Sequence, residues 1–260
     1  ETAFRDYVTD NRDFISPSLT WLISKDTQLD LDFMYQNRNT LSDSGIPYDL
    51  QLSGAIPKKI PINSFRNEPT DYNNSRFYEG DVAFTHRFNE DWKVRAKFST
   101  IRTDGESAQT PSNGNANLVG DLYRGFLKGA SNFESEYGVI DLTGHFKTLG
   151  FDHTVVIGTD YYQSNNSNSS SPYRTNVPTI NIFKPVYGFT SFLNDPLGPA
   201  SETKNNWNGA YIQDQVSLWD QWQLLFGSRF DHAEFSTSGQ QKQVDEFSPR
   251  AGLMYHPLSW

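Results

Sequence analysis

Tyr48, Tyr72, Arg76, Tyr78, Tyr123, Arg124, Tyr162, Tyr173, Tyr187 and Trp207 all fall in or beside long polar segments of this 260-residue chain. Aromatic faces stack and attract cations, while Tyr hydroxyls and Arg guanidinium groups bond oxygen atoms. The set therefore suits ligand binding more than bond-breaking. Each member has a plainer reading as packing in an aromatic girdle or as loop structure. Tyr187 and Pro185 in particular could shape their own loop, because Pro fixes the backbone and removes a donor.

Chemistry of other kinds finds little support. There is no Gly-x-Ser-x-Gly elbow, no phosphate-binding Gly loop and no dinucleotide fingerprint, so no enzyme is expected. Asp30 and Asp32 lie two apart on one strand face and are expected to project into water. His145 and His153 flank one turn and could approach across a hairpin. A metal site needs three or four ligands in one place. With no Cys and no His-Glu-x-x-His, the chain is expected to hold no metal or cofactor of its own. Acidic residues outnumber basic ones, 31 to 22, for a net charge of -9. That balance argues against nucleic-acid binding, which needs a positive face for phosphates.

The elements that must position these residues show as alternation. Trp92, Val94, Ala96 and Phe98 share one face of a strand, and Lys93, Arg95, Lys97 and Ser99 share the other. The preceding segment places Val82, Phe84 and Phe88 against Glu79, Asp81, Thr85 and Arg87, and Asn89-Glu90-Asp91 closes the hairpin. The same device predicts nine strands, near 12–23, 27–37, 76–88, 92–103, 121–146, 152–164, 206–218, 221–236 and 245–256. Tight turns at 24–26, 89–91, 147–150, near Asp220 and near Pro257 alternate with long connections at 38–75, 104–120, 165–205 and 237–244. The run 165–171 is low-complexity and is expected to be mobile.

This rhythm implies an all-β, antiparallel up-and-down transmembrane barrel with short periplasmic turns and long extracellular loops. Only 36% of residues are hydrophobic, yet 15% are aromatic. That composition fits strands greasy on one face and wet on the other. Trp21, Trp92 and Trp222 each flank a short turn and read as an interfacial girdle. Lys93, Arg95 and Lys97, with Arg87, then line the lumen, either as a basic wall for an anionic ligand or a plug, or as half of a cross-strand ion-pair ladder with Glu79 and Asp81. A passive porin or a soluble all-β binding module remains open on these grounds.

Specific phrases narrow the choice. Gly209-Ala-Tyr-Ile-Gln-Asp-Gln-Val216, Trp222-Gln-Leu-Leu-Phe-Gly-Ser-Arg-Phe-Asp231 and Phe247-Ser-Pro-Arg-Ala-Gly-Leu-Met-Tyr255 resemble the barrel of TonB-dependent siderophore receptors. Phe183-Lys-Pro-Val-Tyr-Gly188, Ile15-Ser-Pro-Ser-Leu-Thr-Trp21 and Gly45-Ile-Pro47 fit the same template. The likeness is to the ferrichrome, coprogen and pyoverdine receptor group, and it spans nearly the whole chain. It implies a bacterial outer-membrane barrel of about 22 strands with a plugged lumen. The implied partners are a ferric siderophore, arriving with its iron already chelated, outer-membrane lipid, the protein's own plug domain and the TonB energy-coupling protein. Residues 1–260 would then be part of the barrel, without plug or final strands. The opening Glu1-Thr-Ala-Phe4 lacks the basic and apolar stretches of a signal peptide, which also leads one to expect a fragment.

Overall fold

The computed structural model describes residues 4–41, 43, 45, 60–113, 116–117, 119–219 and 221–256. They form strands and no helix: β1 (Asp10–Ile15), β2 (Ser18–Ser24), β3 (Thr27–Thr40), β4 (Tyr72–Arg87), β5 (Trp92–Gln109), β6 (Ser112–Asn113), β7 (Asp121–Thr148), β8 (Phe151–Ser170), β9 (Arg174–Asn181), β10 (Ser201–Leu218), β11 (Trp222–Thr237) and β12 (Gln240–Tyr255). The order across the sheet is β1-β3-β4-β5-β7-β8-β10-β11-β12, with β2 on β3, and β6 and β9 on β7. Every neighbouring pair is antiparallel, and from β3 to β12 the main ladder runs without a register shift. The sheet ends at β1 and β12 and does not close on itself.

Four expectations need correction. The first expected strand is two, because Pro17 has no N–H for the ladder. β1 and β2 meet β3 on either side of Ser16-Pro17. The polar run 165–171 is ordered up to Ser170, where β8 pairs with both β7 and β10. Lateral pairing supplies the order that local composition does not. The connection expected at 237–244 is a two-residue turn. Ser238 and Gly239 have φ of 50° and 85°, the pair of positive values that a type I′ hairpin requires. Strand pairing likewise absorbs 104–109 into β5. The turn expected near Pro257 and the residue Asp220 lie outside the described residues.

The short turns carry their own local chemistry. Leu149 and Gly150, with φ of 51° and 86°, close β7 onto β8. Between β4 and β5 the Asn89 side-chain oxygen accepts from the backbone N–H groups of Asp91 and Trp92. Trp92 covers Gly144 on the apolar face, where an added Cβ would lie 2.5 Å from its ring. The Trp222 ring sits 4.4 Å from that of Tyr255.

With the register continuous, alternation sorts every side chain onto one of two faces. Ile140, Leu142, Ile157, Ile212 and Phe226 stand on the apolar face, and Ile157 is flanked by Leu142 and Ile212. Val156, its immediate neighbour in sequence, stands on the polar face between Thr143 and Gln213.

Nearly all the buried apolar residues lie at the opposite end, among the long connections. Ile60, Ala116, Leu122, Ile180 and Ile182 form one cluster with Phe183 and Tyr187 packed against it. Ala108, Phe126 and Val177 form a second, with Tyr72, Phe189, Phe192 and Leu193. The two are joined by a buried ion pair, Glu68 to Arg124 at 2.7 Å, with both side chains 1% exposed. The second Glu68 oxygen accepts from the N–H groups of Gly188 and Phe189, and Arg124 donates to the Pro178 carbonyl. Asp71 accepts from the N–H and hydroxyl of Thr110. Burial holds the Asp71 carboxyl above its ordinary range, and the Thr110 and Asn67 bonds offset only part of that. These contacts build a packed cap from segments 60–72 and 174–193 over the end of β7.

Two outcomes test this description in the complete protein. In lipid vesicles, Ile157→Arg should lower the unfolding free energy by about 2–4 kcal/mol, whereas Val156→Arg should cost well under half as much. Removing one partner of the cap's ion pair by Glu68→Ala should weaken local closure by about 3–5 kcal/mol. Hydrogen exchange of residues 183–193 reads this loss directly, and unchanged protection there would show that the pair does not hold the cap.

Candidate functional site

The polar face carries one row of aromatic side chains across three adjacent strands. Tyr137 on β7 stands directly opposite Tyr162 on β8, and Tyr162 directly opposite Trp207 on β10. The Trp207 ring meets Phe235 of β11 edge-on, with centroids 6.2 Å apart. Tyr137 is 38% exposed and Trp207 44%. The row continues to Ser99 and Asp81, which share a hydrogen bond. Aromatic residues in register on this face offer stacking area, and their hydroxyl and indole N–H groups offer donors.

Directly beneath lies a charge network that links β8 to β11. Arg229 on β11 donates from Nη1 and Nη2 to both carboxylate oxygens of Asp160, at 2.6 and 2.9 Å. Its Nε lies 2.8 Å from Asp231 Oδ1. The guanidinium reaches β8 by crossing β10 at Gly209, where a Cβ would lie 2.0 Å from Nη2. Tyr211 packs in the same way on Gly158, where an added Cβ would meet the ring at 2.4 Å. Arg229 also lies over the Tyr211 ring, 5.6 Å from its centroid. Two glycines thus let one arginine and one tyrosine lie flat along the wall, below the aromatic row.

The structure divides the residues singled out from sequence. Tyr162 and Trp207 stand opposite one another in the row. Tyr123 and Tyr173 reach the polar face nearer the long connections. Tyr123 is 65% exposed, and Tyr173 lies over Gly125, whose Cβ would sit 2.0 Å from its hydroxyl. Arg76 and Tyr78 keep the parity of Val82 and Phe84 on β4 and so stand on the apolar face, where Tyr78 pairs with Tyr35 at 5.2 Å. Tyr72 and Arg124 are taken up by the cap. Tyr187 donates to the Phe65 carbonyl at 2.7 Å. Burial, with Tyr7 and Asp6 nearby, pushes its hydroxyl up to about 12, so it stays protonated. Tyr48 lies outside the described residues.

Tyr137, Tyr211, Phe235 and Arg229 are additions that the sequence reading did not single out. The usable signal was parity: Tyr137 alternates with Val139 and Asp141, and Tyr211 with Gln213. His145 and His153 do not approach. His145 stands opposite Thr154 and His153 opposite Phe146, so the two rings lie on opposite faces. The expected ladder is present in part. Lys97 pairs with Asp81 at 2.9 Å, but Arg87, Lys93 and Arg95 form no ion pair among the described residues.

Comparison with known proteins agrees with this architecture. The chain is 30% identical over 251 residues to the ferrioxamine B receptor of Salmonella typhimurium, covering 93% of this chain and 35% of that protein. It is 25% identical to the metal-pseudopaline receptor of Pseudomonas aeruginosa, covering 97% and 37%. The chain thus spans little more than a third of the length of these relatives. Among solved structures it overlays on the ferric-catecholate import receptor of Escherichia coli K12 with a TM-score of 0.74 at 19% identity, covering 98% of this chain and 42% of that one. The ferripyoverdine receptor of Pseudomonas aeruginosa gives 0.73 at 16% identity, covering 97% and 34%. These structural likenesses speak for the fold. The family model for the TonB dependent receptor-like β-barrel matches residues 17–260, and the chain belongs to that family, as part of an outer-membrane barrel wall.

Proposed function

We propose that the complete receptor binds a ferric siderophore against the aromatic row Tyr137–Tyr162–Trp207 and imports it with energy supplied through TonB. The observation that carries this reading is the register that sets three rings side by side on the face turned away from lipid. Stacking rings and hydroxyl donors suit a chelate of catechol, hydroxamate or peptide character. Tyr123 and Tyr173, higher on the same face, would meet the chelate first. The metal is cargo held by its chelator, so no protein ligand to iron is needed. Relatives named for ferrioxamine B and for metal-pseudopaline support the substrate class. Family membership weighs against the passive porin and the soluble module.

Binding of individual ferric siderophores to the purified complete receptor tests the proposal. Tyr162→Ala and Trp207→Ala should each raise Kd about ten- to hundredfold, the loss expected for an aromatic anchor. Arg76→Ala, on the lipid-facing side, should leave Kd unchanged. If both aromatic variants bind like wild type, the row is not the site. Gly209→Ala tests the support beneath. It must displace Arg229 from Asp160, and should cost about 2–3 kcal/mol of barrel stability, the value of a charged hydrogen bond lost.

A further inference from the structure

We propose that Asp71 carries a proton in the folded cap and donates it to Asn67, so that this one proton helps hold the cap closed. Asp71 stands where the segment 60–72 enters β4, and Thr110 follows the end of β5. Asn67, Asp71 and Thr110 are 1%, 4% and 2% exposed, so water does not complete their bonding.

The donors around Asp71 fix which oxygen holds the proton. The Thr110 hydroxyl accepts from the Glu68 N–H at 2.8 Å, which leaves its own hydrogen for Asp71 Oδ2 at 2.8 Å. The Thr110 N–H donates to the same oxygen at 2.8 Å, and Asn67 Nδ2 donates to it at 3.3 Å. All three donors converge on Oδ2, which leaves that oxygen no place for a proton of its own. Asp71 Oδ1 and Asn67 Oδ1 are both buried and have no hydrogen-bond partner among the described residues. Two buried acceptors without a donor are costly. A proton on Asp71 Oδ1, donated to Asn67 Oδ1, satisfies both at once and joins the side chains as an acid–amide pair.

Charge balance points the same way. No Lys or Arg closes an ion pair with Asp71 among the described residues. On the elements packed here, Arg124 is held by Glu68, Arg174 by Asp195 and Lys128 by the Leu193 carbonyl. Arg66 lies near Asp43, and Glu106 stands on β5 opposite Asn74. Tyr72 and Tyr187 are phenols that burial holds above their ordinary range, so both stay neutral. An ionised Asp71 would be a buried charge without a counter-ion, the costlier state. Burial accordingly raises this carboxyl above its ordinary range. A carboxyl raised by folding contributes stability that is full below the ordinary carboxylate range and is lost as pH rises from there through the folded value. Deprotonation sets a negative oxygen against the Asn67 carbonyl oxygen and loosens this segment. Glu68 within it holds the N–H groups of Gly188 and Phe189, so the loosening reaches the other side of the cap. The cap is therefore a pH-sensitive closure, whichever chelate the receptor takes.

Hydrogen exchange of the complete receptor in lipid, over a pH series and normalised to intrinsic rates, tests this closure. Asp71→Asn has the shape of the neutral acid and cannot ionise. In wild type, protection of residues 183–193 should fall by up to about tenfold per pH unit above the ordinary carboxylate range before levelling off, the slope of a single proton. In Asp71→Asn the same residues should stay protected throughout. Equal pH profiles, or an Asp71→Asn cap already loose at acid pH, overturn the proposal. Wild-type protection that calcium raises and a chelator removes also overturns it, because a cation would then join the two oxygens. Heat-modifiable migration on gels confirms that the variant is folded. Infrared spectra give a second reading that does not depend on cap motion. At a pH where ordinary carboxylates are ionised, wild type should show a protonated-acid carbonyl band that Asp71→Asn lacks, and identical spectra in that region contradict the assignment.

Discussion

A slip of one residue anywhere between β3 and β12 would turn every side chain on the slipped strand to the wrong face. The structure depends on that register, because nothing else sorts its residues. The strands have no shared apolar core. Ile157 and Val156 are neighbours in sequence and both β-branched, yet one belongs against lipid and the other against water. In hydrocarbon the backbone must be satisfied inside the protein, so each strand is held by its two neighbours. The uninterrupted pairings from Thr27 to Tyr255 are both scaffold and address system.

The same register assembles the proposed site. Tyr137, Tyr162 and Trp207 come from distant parts of the chain and meet only because β7, β8 and β10 pair as they do. Glycines at 158 and 209 leave the wall thin where Tyr211 and Arg229 must lie flat. At the far end, the long connections solve a different problem. They leave the ladder and must bury apolar groups in the ordinary way, around Leu122, Phe126 and Ile180. The Glu68–Arg124 pair lies at the centre of that cap and satisfies two backbone N–H groups and one carbonyl besides. A soluble-type packed cap thus rides on a lipid-type sheet.

Alternation made most of the wall legible. Trp92 to Ser99 reads as a two-faced strand without any structure, and so do 27–37 and 221–230. Local chemistry misled in two places. Asn165 to Ser170 looks unstructured by composition, yet pairing on both sides makes it strand. Ser238-Gly239 is a turn signal that lay hidden within an assumed loop. The site was half visible. Tyr162 and Trp207 could be suspected from residue type, but their meeting with Tyr137 depends on lateral register, which no local pattern carries. Arg124 shows the converse. Beside a loop it looked like a ligand group, and only Glu68, far away in sequence, shows that its charge is spent on holding the cap.

The claim that joins these parts is that register builds a chelate-binding wall facing the lumen. A density map of the complete receptor with its ferric siderophore bound tests this most directly. The account predicts the chelate in van der Waals contact with Tyr162 and Trp207, above the Asp160–Arg229–Asp231 network. A chelate seated elsewhere, with that aromatic row turned to bulk water or to lipid, would contradict it.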